Sequence, residues 1–147
     1  MSLAGGWFSI ENPWSSHFWL STSFAGLCKS CEVKVVDVSQ CAYGLRLPGA
    51  SRNWFCHKRS AIASNLPAIQ SLHRSCPGVS TQHIHDKARG SRSVNGKAIS
   101  LAKAAGAYPR EFCRTLARIV YAQLESDRLS LPRRVARDGN IARGKAS

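Results

Sequence analysis

Residues 32–38, EVKVVDV, are the best strand in the chain, rich in valine and bounded by polar residues. β-Branched side chains favour extended backbone, and a run this short suits a strand rather than a helix. Two lesser runs share the signature: Phe8–Ile10, which breaks at Glu11-Asn12-Pro13, and KRSAIAS at 58–64. Between them, WSSHFWLSTSF spaces Trp14, Phe18 and Leu20 along one helical face, with Ser15 and Ser16 near its start. The stretch from Ser39 to His57 reads as loop, and Asn65 suits an N-cap, with Pro67 in the first turn and Leu66, Ile69 and Leu72 on one face.

Residues 76–97 contain Gly78, Gly90 and Gly96 and read as loop. The clearest helix is YPREFCRTLARIVYAQL, where Pro109 suits the first turn. Phe112, Cys113, Leu116, Ile119, Val120 and Leu124 make its apolar stripe; Arg110, Arg114 and Arg118 form a basic row at four-residue spacing. The order strand, helix, strand, strand, helix, loop, helix predicts an α/β fold. It has too few strands for a whole doubly wound sheet, so the expectation is a partial, C-terminal piece of one. That piece carries a loop-rich Cys/His region and ends in the amphipathic helix. Residues 1–130 are expected to form one unit, and 131–147, without periodicity, a disordered basic tail.

Charge narrows the function. The formal net charge is +13, with seven Lys/Arg against three Asp/Glu in residues 1–85 and fourteen against five in residues 86–147. An excess of this size points to nucleic acid or another polyanion, with a merely solvated basic surface as the plain alternative. MSLAGGWFSI lacks the charged and long apolar regions of a secretory leader, and no run approaches the ~18 apolar residues of a membrane span. The expectation is therefore an intracellular protein, nuclear or cytoplasmic, with its six cysteines reduced and no membrane partner.

Three constellations could carry chemistry. Glu11 follows a strand and precedes a stiffening proline, a place where α/β sheets present reactive groups, so it is the candidate catalytic carboxylate. The Tyr43-Gly44 turn, together with Lys58 and Arg59 at the start of a strand, would bring cationic side chains to a crevice. Cys76, His83 and His85, in CPGVSTQHIHDKARGSR, make a zinc half-site of thiolate and imidazole, with a fourth ligand from afar such as Cys56, His57 or His73. Cys28 and Cys31 form a C-x-x-C pair without a second pair at ordinary spacing.

Taken in order, FSIENP, VVDVSQCAYG, KRSAIASN, a Cys followed by His, ARGSR and AYPREFCRTLA resemble the C-terminal half of phage-type cytosine-5 DNA methyltransferase-like proteins over roughly residues 7–122. The resemblance implies that Glu11 takes the place of the carboxylate that contacts a flipped cytosine. It also implies nucleic-acid contacts by Tyr43, Lys58 and Arg59, and a phosphate-contacting turn from Arg89 to Arg92. Lys58-Arg59-Ser60 departs from the family's Lys-Pro-Thr, and Ser64-Asn65 from its Thr-Asn. No Gly-rich turn for S-adenosylmethionine and no Pro-Cys nucleophile is present. The implied protein is a fragment or remnant, inactive alone, that would bind S-adenosylmethionine only with an N-terminal methyltransferase half as partner. The alternatives are a small zinc-assisted module gripping phosphates, DNA more than RNA, through its Cys/His loop and Arg110, Arg114 and Arg118, and a relic without a stable fold.

Overall fold

A computed structural model describes residues 6–130. The predicted tail from Arg133 onward lies outside them. The chain mixes strands and helices, and one three-stranded sheet organises it. β1 (Ser9–Pro13), β4 (Arg59–Ser64) and β2 (Lys34–Ser39) lie in the order β1-β4-β2. Both outer strands run antiparallel to β4, with Glu11 and Val36 each opposite Ile62. β1 and β2 thus share a direction, are joined through α1 (Thr22–Ser30), and have β4 inserted between them. This pairing differs from the parallel neighbours of a doubly wound sheet. A later strand returning between the two restores antiparallel bonding at every ladder of this sheet.

β4 is central, which explains its composition. From Ser60 to Ser64 it is buried on both faces, so only Ser, Ala and one Ile fit. Ser64 satisfies its own hydroxyl by donating to the Phe8 carbonyl (2.5 Å). On one face Val36, Val38 and Ile62 meet Leu66, which caps the 3-10 turn Pro67–Leu72, and Ile69 and Leu72 within it. α3 (Arg110–Ser130) closes this core with Phe112 and Ile119, flanked by Leu116 and Val120. Those four lie at helical spacing on one stripe, as the sequence predicts.

The local elements differ from expectation in three places. The aromatic stretch is split between a 3-10 turn, His17–Leu20, and the start of α1 at Thr22, because Ser16 and Ser21 each cap a new start: Ser16 Oγ accepts from Phe18 N and Ser21 Oγ from Phe24 N. Asn65 is not an N-cap; its side chain instead ties down the N-terminal segment, accepting from Phe8 N (2.9 Å) and donating to the Gly6 carbonyl. The two expected loops hold strands. β3 (Trp54–Cys56) pairs in parallel with β5 (Ile84–Asp86), and β6 (Ser91–Val94) forms a hairpin with β7 (Lys97–Ser100) across Asn95-Gly96. A second small core joins Leu45, Leu47 and Cys56 to Leu101, the first residue of the short helix α2 (Leu101–Ala104), and Ala105, its C-cap.

Candidate metal centre and its charged surroundings

β2 ends at Ser39 and passes directly into a 3-10 turn, Gln40–Tyr43. Gly44 stops that turn with φ 83°, a left-handed conformation that glycine adopts at little cost, and its N–H caps the Cys41 carbonyl (3.0 Å). Cys41 is thereby fixed at the carboxyl end of the best strand, buried against the sheet.

Two other segments bring ligands to the same point. Ser80 and His83 bond each other's backbones in a tight turn leading into β5. His83 and His85 are two residues apart in extended chain, so both imidazoles project from one side. Cys76 arrives from the segment after the Pro67–Leu72 turn. Gly78, at φ 90°, bends its N–H back onto the Cys76 sulfur (3.3 Å).

The ligating atoms of Cys41, Cys76, His83 and His85 all lie within 4.8 Å of one another. The Cys76 sulfur is 3.7 Å from His83 Nε2 and 3.2 Å from His85 Nε2. A tetrahedral zinc with bonds of about 2.3 Å to sulfur and about 2.0 Å to nitrogen requires sulfur–nitrogen edges of about 3.6 Å. The cluster is thus close to the size that the ion demands, and two thiolates would neutralise its charge. It could hold a metal ion. The fourth member of the cluster is Cys41 rather than the expected Cys56, His57 or His73. Cys56 is buried in the second core, and His73 is occupied by the Asp37 carbonyl (2.8 Å) and the Ser75 hydroxyl. Cys28 and Cys31 lie on and just after α1 and are no part of the cluster.

Both histidine ligands are oriented by stacking. His83 lies against Phe55 (centroids 4.5 Å, 12°) and His85 against His57 (4.4 Å, 16°). Burial and then the charge of His57 hold the His83 and His85 imidazoles below the usual histidine pKa, which favours the neutral form that a metal needs. Burial, with the Cys76 sulfur beside it, pushes the Cys41 thiol up to about 12, so an incoming cation must displace that proton.

A second polar cluster surrounds Glu11. Ser60 Oγ donates to Oε1 (2.5 Å), Tyr108 OH donates to Oε2 (2.7 Å), and Lys58 Nζ stands 3.9 Å from Oε1 and over the Tyr108 ring. Burial and then the Glu11 carboxylate raise the Tyr108 phenol to about 12. Glu11 borders an apolar groove of about 360 Å³ walled by Ile62, Phe112, Leu116 and Ala117.

The predicted nucleic-acid residues divide. Tyr43 is buried, donates its hydroxyl to the Leu72 carbonyl (2.7 Å) and packs between Phe112 and the Arg74 guanidinium, so the expected nucleic-acid contact is replaced by a core role. Arg92 is committed to the Asp86 carboxylate (3.0 Å) and the Pro48 carbonyl. Arg59 grips Asp37 with two bonds (2.9 and 2.7 Å) while stacking on Trp14. Arg89 lines an open cleft with His57, His85 and Lys87 beside the metal ligands. Arg110, Arg114 and Arg118 are exposed along α3. Missed by sequence reasoning were Cys41, Tyr108, and Arg46 and Arg52 near β3; a cysteine at the end of the best strand was the signal for the first.

Among the described residues no helix is long and apolar enough to cross a membrane. The chain matches no family model, no curated protein and no solved structure.

Proposed function

We propose that the chain is a small zinc-stapled module that binds the phosphate backbone of nucleic acid. One observation carries the reading: four side chains of zinc-ligand type, from three separate segments, converge at a partly buried point within a strongly basic chain. A structural ion there would tie the end of β2 to the Cys76–Asp86 segment, where few apolar side chains are buried, and contribute directly to folding. The rest of the chain then presents charge. Arg89 and Lys87 stand beside the centre, and Arg110, Arg114 and Arg118 make a row along one helix. Such contacts neutralise phosphates without reading sequence, so binding falls steeply with salt. DNA is the first polymer to test. The purified chain is expected to carry one zinc and to bind an oligonucleotide with a steep negative slope of log K against log salt. A folded, metal-free protein, or one with no affinity at low salt, would exclude the reading.

The second reading, a remnant of a DNA methyltransferase-like protein, is favoured by one observation. Glu11 is held at the sheet edge by Ser60, Tyr108 and Lys58 beside an apolar groove, an arrangement suited to a carboxylate that contacts a base. This reading is of a chain inactive alone and without affinity for S-adenosylmethionine; calorimetric binding of that cofactor would overturn it. The partial doubly wound sheet it implies stands against the antiparallel pairing described above.

A further inference from the structure

An open cleft of about 590 Å³ is lined by Arg46, Arg52, Asn53, Phe55, Thr81 and Gln82. No acidic side chain lines it. Neither Arg46 nor Arg52 makes an ion pair among the described residues, whereas Arg59, Arg74 and Arg92 each face a carboxylate. Two exposed guanidiniums that line one cleft repel one another, and an anion bound between them relieves that repulsion.

The cleft is also ordered. The Arg46 guanidinium sits 4.6 Å from the centroid of Phe55, whose ring stacks in turn on the metal-ligand candidate His83. That stacking holds the guanidinium plane and leaves its N–H edge available. Two lining segments are tied to each other: Asn53 Nδ2 donates to the Thr81 carbonyl (2.7 Å), and Ile84 N donates to the Asn53 carbonyl (2.8 Å). The two guanidiniums thus line a cleft whose segments are cross-linked and which holds no competing carboxylate.

We propose that this cleft is a phosphodiester site, in which Arg46 and Arg52 grip the backbone of a nucleic-acid strand. The proposal rests on the nucleic-acid reading above and names the place on the surface where a strand is held. A phosphodiester is preferred to a free phosphate because the cleft is open to solvent and, at about 590 Å³, far larger than a single phosphate ion.

The test uses the full zinc-loaded chain, a fluorescein-labelled single-stranded oligothymidylate, and a salt titration. Arg46→Gln/Arg52→Gln removes two charges from side chains that pair with no carboxylate; Lys97→Gln/Lys103→Gln removes two elsewhere as a charge-matched control. If each arginine neutralises one phosphate, the slope of log K against log salt is shallower by about 1.4 in the arginine variant and unchanged in the control. Equal slopes and affinities for the two variants would overturn the cleft while leaving the wild-type salt dependence, and so the nucleic-acid reading, intact. Absence of binding by the wild-type chain would instead remove both. Inorganic phosphate or thymidine monophosphate competing as well as the oligonucleotide, at equal phosphate, would show a site for free phosphates and overturn the choice of polymer.

Discussion

Replacing Cys41 by Ala removes one of four ligands from a buried position. Two effects then need separating: loss of a buried thiol and loss of the metal. The first costs about 1 kcal/mol, as for a modest truncation in a core, and is present with or without zinc. The second appears only with zinc. Free zinc at about 100 times its dissociation constant stabilises the folded chain by about 2.7 kcal/mol. For a unit of residues 6–130, an unfolding entropy near 2.1 cal/mol/K per residue gives roughly 0.26 kcal/mol/K, so zinc raises Tm by about 10 °C. Differential scanning fluorimetry with added zinc and with a chelator reads both terms. The wild-type chain is expected to show the full zinc shift and Cys41→Ala little or none, while in chelator the two differ by about 4 °C. Cys56→Ala, buried but outside the cluster, should lower both melting points and keep the shift. A full zinc shift in Cys41→Ala would refute the ligand set, and loss of the shift in Cys56→Ala would show that sequence spacing had named the better ligand.

Tyr108→Phe deletes the 2.7 Å bond to Glu11 and should cost about 1 kcal/mol by chemical denaturation, below the roughly 1.5–3 kcal/mol of a buried bond to a charged group because this bond is exposed to water. Glu11→Gln removes the negative charge that raises the Tyr108 phenol, so its titration, followed by ultraviolet absorbance, should move down from about 12; an unmoved value would place the carboxylate elsewhere. The Arg59 guanidinium, bonded to Asp37, holds that carboxyl below 3.8, so the pair stabilises the fold above that pH and the contribution is lost as pH falls through the folded value. Melting curves between neutral and acid pH should thus converge for wild type and Asp37→Asn at the acid end. Phe112→Ala opens the core between α3 and the sheet and should cost about 3 kcal/mol, with the midpoint in denaturant falling and the slope retained.

The parts of the fold legible in the sequence are those where one side chain pattern decides the outcome. EVKVVDV and the stripe from Phe112 to Val120 each bury one face, which periodicity reports directly, while SAIAS is buried on both faces and shows instead as a short run of small and apolar residues. Topology was not legible. Antiparallel insertion of β4 between β1 and β2 depends on long-range pairing, which leaves no mark on local spacing. The short strands β3 and β5 escaped because three residues give too little alternation, and they are held by each other and by the cluster. Three members of the candidate metal cluster, Cys76, His83 and His85, were visible because they lie within ten residues. Cys41 was hidden by its separation from Cys76 and by resembling a core cysteine. Tyr43 misled for the opposite reason, since its place before a glycine suggests an exposed turn, while Gly44 in fact folds the ring inward.

The metal centre is tested most directly by zinc-edge X-ray absorption on the purified full-length chain. The account predicts one zinc per chain with two sulfur neighbours at about 2.3 Å and two nitrogen neighbours at about 2.0 Å, falling to one sulfur in Cys41→Ala if any zinc remains. A folded chain without metal, or a shell of oxygen or of a single sulfur in the wild type, would contradict it.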